Sequence, residues 1–424
     1  MASIGAMTGQ PSHAGRRLLV VGTSPMRESA FALWRQMGIE IVLVDGYTTG
    51  RYEHMVYEFV PWDPRDGSAD ITRIAELART CDGVTTLADN SQITAATVAE
   101  ETGLPGIGRA AAKVARSKLE QRDLCARAGM DVPRWRHIRD RADLDRFFAD
   151  GTRPVVLKPV DCAGSAGVLR VDDLAAARQQ WPVVRMLSPS RTVLAEDFVD
   201  GREVCVEAVV SGGQPVFVSV CQADYAGTEG FLAVSAAYAA VQPDQAAAWP
   251  AMAQVVTALH LGEGIMQAEF KINGDRWTLL EATFRPGGAL VPDLTARVTG
   301  VHLYEVQARI AFGLDPLPQR PAGPVTPYAQ VRFLVGGGQV RKFVPPATVL
   351  ADLPDVKVAN QLAAPGQHVR LPLSEDGRAG YAVGWGTDAE RLDAQLRTAI
   401  DRLGTHMGLT HHQQTPRPID VVAG

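Results

Sequence analysis

Lysine is scarce in this 424-residue chain: Lys113, Lys118, Lys158, Lys271, Lys342 and Lys357 stand against 36 arginines. Routine surface charge falls to arginine, so a lysine in an apolar setting stands out. A surplus of positive charge is also missing. The formal charge of -5 supplies no basic field for nucleic acid or an anionic membrane, and no nucleic-acid-binding signature occurs. Neither partner is expected. No apolar run approaches the ~20 residues that span a bilayer; the longest, such as 17–22, are strand-sized. The N-terminus lacks a charged segment followed by an apolar one, so it does not read as a signal peptide. The five cysteines (Cys81, Cys125, Cys162, Cys205, Cys221) are odd in number, scattered and without C-x-x-C or zinc spacing. They indicate reduced thiols and a cytoplasmic setting. His411 and His412 lack the further ligands of a metal site. The three glycines of a dinucleotide fingerprint are absent too: the turn from Gly22 to Glu28 has only Gly22, which argues against an NAD site.

What is present is a globular composition, 46% hydrophobic and 21% charged, in a chain long enough for two or three domains. Residues 1–15 are small and polar and are expected to be disordered. Leu18–Val21 and Ile41–Val44 read as apolar strands. Between them Ala30, Leu33, Trp34 and Met37 recur at helical spacing up to Gly38, a parallel βαβ pattern. A helix over 69–79 capped by Ser68 and a strand near 83–87 continue an N-terminal α/β domain over 16–112. Ser117 and Glu120 form a capping box. Strand-like segments at 155–158, 192–199, 203–210, 215–221, 265–272 and 277–281, mixed with helices, predict an α+β domain over 113–323. Pro316, Pro318, Pro321 and Pro324 mark its end. A third unit over 324–410 has a glycine turn at 336–338 and a last helix with a capping box at Thr387 and Glu390; 411–424 is a tail.

Three segments carry candidate chemistry. In the first, Glu269 and Glu281 interrupt apolar strands flanking Asn273-Gly274, a hairpin signal. A three-residue loop, 273–275, would make the carboxylates diagonal neighbours on one face, about 7–8 Å apart at the backbone. Such a pair suits Mg²⁺, which takes a few carboxylates plus phosphate oxygens. Thr283, Arg285 and Gly287-Gly288 follow. In the second, Lys158 ends an apolar strand and precedes Gly164-Ser165-Ala166-Gly167, where backbone N–H groups can approach a phosphate. It is not a Walker A loop, because the lysine comes first. The third, Glu196-Asp197-Phe198-Val199 with Glu203 beyond Asp200-Gly201, reads as strand, turn, strand. Its backbone can meet an adenine edge and a carboxylate can accept from ribose hydroxyls.

In this order, with Lys118 at a helix start, the segments resemble the ATP-grasp superfamily, and the tail (362–366, 380–387) looks like the C-terminal domain of L-amino-acid ligases. The resemblance spans roughly 16–409. It implies an ATP-grasp fold: an α/β N-terminal domain, a two-lobed core (113–195 and 196–323) and a small C-terminal α+β domain. It implies ATP with one or two Mg²⁺, or Mn²⁺ in its place, and a carboxylic acid plus an amine or amino acid as substrates; many relatives form homodimers. Lys118 and Lys158 would contact phosphates, Gly164, Ser165, Ala166 and Gly167 would cover them, Glu196, Asp197, Phe198 and Val199 would meet adenine, and Glu203 the ribose. Glu269, Glu281 and Thr283 would hold metal, and Arg285 would face the transferred phosphate. Thr283 replaces the family's usual Asn, a better ligand, and Gln267 stands where His is common. The implied function is a carboxylate–amine ligase working through an acyl phosphate. The alternatives are a purine-biosynthesis type of ligase and a nucleotide-binding protein without turnover. Asp224 or Glu229 could receive an amine, and Arg297 a carboxylate.

Overall fold

The computed structural model describes residues 13–46, 50–62, 71–151, 153–225, 233–239, 244–317, 326–370 and 377–411. The first domain is built on a four-stranded parallel sheet in the order Glu58–Pro61, Glu40–Asp45, Arg17–Val21, Gly83–Thr85. Its central strands are apolar at successive positions because helices cover both faces. Leu18, Val20, Ile41 and Leu43 pack on Phe31 and Trp34 of helix Glu28–Gln36 and on Tyr304 and Ala308. Leu19, Val21, Val42 and Val44 pack on Ile74, Ala78, Ala95 and Val98. One covering helix, Leu303–Ala311, comes from far along the chain, so the first domain's core is completed by a late segment. The helix expected over 69–79 spans Ile71–Ala78; Ser68 lies outside the described residues.

A second, antiparallel sheet runs Trp135–Ile138, Val193–Asp197, Val155–Pro159, Leu169–Val171. Period-2 alternation divides its faces. Val155, Leu157, Val193 and Ala195 point at Phe147, Ala177 and Val184, while Val156, Lys158 and Glu196 line a cleft on the other side.

Across that cleft lies an eight-stranded sheet ordered Arg276–Thr283, Gly264–Asn273, Arg202–Ser211, Gln214–Tyr225, Ala233–Ala239, Tyr328–Leu334, Gly380–Gly386, Val356–Gln361. Val204, Val206, Ala208 and Val210 face the helix Gln245–Ala258 through Met252 and Val255. The alternate residues Glu203 and Cys205, with Gln267, Glu269 and Lys271 of the next strand, face the cleft. The unit expected at 324–410 has its own core around Leu392, Leu396 and Leu403, yet its strands extend this same sheet through the pairing of Ala233–Ala239 with Tyr328–Leu334. Two local expectations are corrected. Residues Gly336–Gln339 form a short strand rather than a turn. The last helix, Ala389–Met407, is capped by Asp388, whose side chain accepts from the Arg391 N–H at 3.0 Å, one residue beyond the predicted Thr387 box. A carboxylate at that position also favours the positive end of the helix.

Candidate active site

The hairpin carrying Glu269 and Glu281 differs from the expected one in its turn. Asn273 pairs with Arg276, leaving a two-residue loop, Gly274-Asp275, with Gly274 at φ 59°. That loop alone would misalign the glutamates. A bulge at Leu280, between the Glu269–Glu281 and Phe270–Leu279 pairs, adds one residue and brings the carboxylates directly opposite each other. They share a face, as predicted, but as a direct cross-strand pair rather than diagonal neighbours. Both line the cleft.

Lys118 begins the helix Lys118–Arg127, capped by Ser117, whose hydroxyl accepts from the Glu120 N–H at 3.2 Å. A cation in the first turn opposes the helix dipole, so the position is locally unfavourable. Its compensation is tertiary: the Lys118 ammonium sits 2.8 Å from Glu281 Oε1 and donates to the Cys162 carbonyl at 2.6 Å. One turn later Arg122, fully buried, pairs with Glu196 and reaches the Leu280 carbonyl. Lys158 meets the other Glu196 oxygen at 2.5 Å. Burial alone would raise the Glu196 carboxyl, but the charges of Arg122 and Lys158 outweigh it and hold the group below its ordinary range. Burial lowers the Lys158 ammonium, and Glu196 resists that shift. The Glu196 carboxylate therefore anchors cations rather than standing free in the cleft. Glu196→Ala would strand two buried charges, and a destabilisation of about 3–5 kcal/mol is expected in denaturant titration.

Gly164, Ser165 and Ala166 line the cleft beside Lys158, with Gly164 and Ser165 at positive φ. Gly167 does not line it: a Cβ there would sit 2.9 Å from Pro159 Cγ and 3.0 Å from Leu187 Cδ1. Its surroundings here are close packing against Pro159 and Leu187. At the far end Asp197, Phe198, Val199 and Glu203 line the cleft. Asp197 is held by Arg134 at 2.7 Å and Arg153 at 3.4 Å, and Glu203 by Lys271 at 3.0 Å.

Arg285 pairs with Asp89 and donates to the Pro286 carbonyl at 2.7 Å. Thr283 donates to Asp89 Oδ1 at 2.6 Å and accepts from Gln92 Nε2 at 2.9 Å. Burial would raise Asp89, but the Arg285 charge and hydrogen bond dominate and hold its carboxyl far below the usual range. The Thr283 hydroxyl, expected as a metal ligand, is thus tied to a carboxylate of the first domain. The following loop is clamped from both sides. Arg27 donates to the Gly287 carbonyl at 2.6 Å and to Tyr304 Oη at 2.9 Å. The Gly287 N–H donates to Glu207 Oε1 at 2.8 Å, and a Cβ on Gly287 would come within 2.1 Å of that oxygen.

Glu207 is fully buried, and its second oxygen has no partner among the described residues. Burial pushes its carboxyl up to about 8, against the pull of the Gly287 N–H, Arg285 and Arg27. The folded protein therefore keeps a proton that the unfolded chain releases near 4.5. Stability from this group is fully present below that value and is lost as pH rises towards 8. Glu207→Gln should flatten the decline in the urea midpoint between pH 5 and 8; an unchanged slope would count against it.

Asp89, Gln92, Arg122, Glu207 and Arg27 were not singled out from the sequence. Only Asp89 and Gln92 carried a usable signal: a polar run, Asp89-Asn90-Ser91-Gln92, just past the carboxyl end of strand Gly83–Thr85, where ligands of open α/β sheets bind. Glu229, considered as an amine acceptor, lies outside the described residues. Arg297 stacks on Trp385, 4.1 Å from its ring centroid, and does not line the cleft.

Taken together, a cleft of about 190 Å³ is lined by Lys118, Lys158, Glu269, Glu281, Thr283 and Arg285, closed by Gly164, Ser165 and Ala166 and bounded by the Glu196–Glu203 hinge. The family model described as the ATP-grasp domain matches residues 152–293. These residues form an ATP-grasp domain. Human carnosine synthase 1 is 26% identical over 344 residues, covering 72% of this chain and 41% of that protein; the chain spans about two fifths of the length of that relative. The structure of L-amino acid ligase from Bacillus licheniformis superposes with a TM-score of 0.79 at 20% identity, covering 94% of this chain and 99% of that one. The biotin carboxylase domain of Hydrogenobacter thermophilus 2-oxoglutarate carboxylase, solved with magnesium ADP and bicarbonate, gives 0.70 at 14% identity, covering 94% and 90%. The ATP-grasp fold thus runs through nearly the whole chain. Among the described residues no group of three or more His, Cys, Asp or Glu converges as a metal cage. Two opposed carboxylates are instead the donor set expected for an ion that shares its coordination with phosphate oxygens. No helix among the described residues is long and apolar enough to cross a membrane.

Proposed function

We propose that this protein is an ATP-dependent carboxylate–amine ligase that forms an amide or peptide bond through an acyl phosphate, releases ADP and phosphate, and takes an amino acid as one substrate. The observation that carries this reading is convergence. Lys158 from the four-stranded antiparallel sheet, Lys118 from a helix start, and Glu269, Glu281 and Arg285 from the hairpin and the loop after it all line one cleft.

A carboxylate is a poor electrophile, and phosphorylating it creates a good leaving group. Phosphoryl transfer needs in-line placement and charge neutralisation more than covalent help. Lys118 and Lys158, held on Glu281 and Glu196, are placed to neutralise the phosphates. Gly164, Ser165 and Ala166 cover them and exclude water, which would hydrolyse the intermediate. Phe198 and Val199 offer an adenine pocket, and Glu203 accepts from ribose hydroxyls. Glu269 and Glu281 hold Mg²⁺, which when bound offsets charge on the phosphate oxygens. Arg285, fixed by Asp89, faces the oxyanion that forms when the amine attacks the acyl carbon. The similarity to carnosine synthase and to the L-amino acid ligase structure supports an amino acid as a substrate.

The test is incubation with Mg-ATP and pairwise panels of carboxylic acids and amino acids, with ADP, AMP, phosphate and amide measured together. ADP with an amide is the expected result. AMP would point to adenylation, and nucleotide binding without any product would leave a binding protein.

A further inference from the structure

Beyond the metal hairpin the floor of the cleft changes character. Glu281, Glu269, Cys205 and Cys221 stand on one register line across adjacent strands. Neighbouring strands lie ~4.8 Å apart, so the thiols begin one strand from Glu269 and end roughly 10 Å from it. Ala223, two residues past Cys221 on the same face, pairs with Ala236 of the next strand. Cys205, Cys221, Ala223 and Ala236 all line the cleft, and so do Ala289 and Val291 at the start of helix Val291–Thr299. Val291 packs with Cys205, Cys221 and Ala236 in one apolar cluster. None of these side chains is larger than valine, and none is charged. Burial raises both thiols well above their ordinary range, so they stay protonated, and a protonated cysteine packs as a small hydrophobe. The neighbouring charge is turned away. Asp224 follows Ala223, and strand alternation puts it on the opposite face, on a line with Ser235 and Arg332. Arg332 is held on that face by Asp393 of the last helix at 2.5 Å. Asp224, considered above as an amine acceptor, therefore belongs to the other side of the sheet.

We propose that this strip seats the body of the acid that is activated, and that this body is apolar and uncharged; the inference rests on the ligase reading above. The acid's carboxylate has to meet the transferred phosphoryl beside Glu269, Glu281 and Arg285. The rest of the molecule extends from there, and the strip begins one strand away. Small side chains leave depth for a ligand to fill, and an apolar ligand releases the water that would otherwise cover them. A charged group laid on the strip would lose hydration without gaining a partner from these side chains. Ala223 and Ala236, at the end remote from the metal pair, determine specificity by setting how long the body can be.

The full chain saturated with Mg-ADP is titrated calorimetrically with two series. One is the straight-chain acids from propionate to hexanoate, with succinate as the charged counterpart. The other is L-alanine, L-norvaline and L-leucine, with L-glutamate as the charged counterpart. In the series that binds, affinity should rise roughly fourfold per methylene, and the charged counterpart should bind more weakly than the apolar acid of its size. Ala236→Leu, which fills the strip, should weaken the longest acid roughly tenfold more than the shortest, within the range for overpacking. Ala223→Asp, at a half-buried position, should cancel the rise along the series, an independent check should the leucine variant misfold. Affinity independent of chain length, tighter binding of the charged counterparts, an unchanged series in both variants, or no binding by either series would each overturn the proposal. Failure of the ligase reading shows separately, as acids that bind in the expected order while no ADP appears in the product assay.

Discussion

Replacing Glu281 with alanine is expected to abolish Mg²⁺-dependent ADP formation while leaving nucleotide binding largely intact. Glu281 does two things in the cleft. It stands directly opposite Glu269 across the hairpin, so its loss leaves one carboxylate where Mg²⁺ needs protein charge to complement phosphate oxygens. It also holds the Lys118 ammonium at 2.8 Å. Without it that buried cation is free to pair with a phosphate instead. Metal-free nucleotide should then bind at least as tightly as before, and the Mg²⁺ dependence of binding should weaken. The informative pattern is therefore a split: turnover lost, ADP affinity kept. Glutamine should behave like alanine in turnover, because it removes the charge while keeping the shape. A Glu281→Ala protein that forms ADP at the wild-type rate would remove the hairpin carboxylates from the metal assignment.

Much of this site was legible in the sequence because its residues sit where local rules are broken. Lys158 ends a strand whose other residues are apolar, whereas Lys118, at a helix start, was marked only by the family resemblance. Glu269 and Glu281 interrupt two apolar strands. Each charge in an apolar run pointed to a shared cleft, and Lys158, Glu269 and Glu281 all line one. The same reasoning misjudged the hairpin turn. The expected three-residue loop, 273–275, is a two-residue turn, Gly274-Asp275, and the bulge at Leu280 restores the register. A bulge in a run such as Trp277–Glu281 leaves no mark in hydrophobic alternation. The missed residues share a different cause. Arg122 and Glu207 are ordinary charges in sequence. Only the contact of Arg122 with Glu196 and of Glu207 with Gly287, across long chain separations, makes them structural. Likewise the continuity of the C-terminal strands with the central sheet depends on one long-range strand pairing, which separate reading of the segments could not join.

Arg285→Ala should slow turnover by roughly 10²–10³, the range for removing one preorganised donor at a developing oxyanion, with little change in the KM for ATP. The nucleotide's phosphates have Lys118 and Lys158, whereas Arg285 is set further along, locked between Asp89 and the Pro286 carbonyl. That anchoring is the reason for the large effect. A guanidinium held by a largely buried carboxylate needs little reorganisation as charge develops. Asp89 should show the converse. Asp89→Asn keeps the hydrogen-bonding shape towards Thr283 but removes the charge that steadies Arg285, so it should lower kcat by less than the arginine deletion. Combined in one protein, the two changes should cost little more than Arg285→Ala alone, because Asp89 acts through the arginine. Near-wild-type turnover in Arg285→Ala would take the arginine out of the chemistry. Fully additive losses in the double variant would show that Asp89 has a separate role, such as direct contact with a substrate.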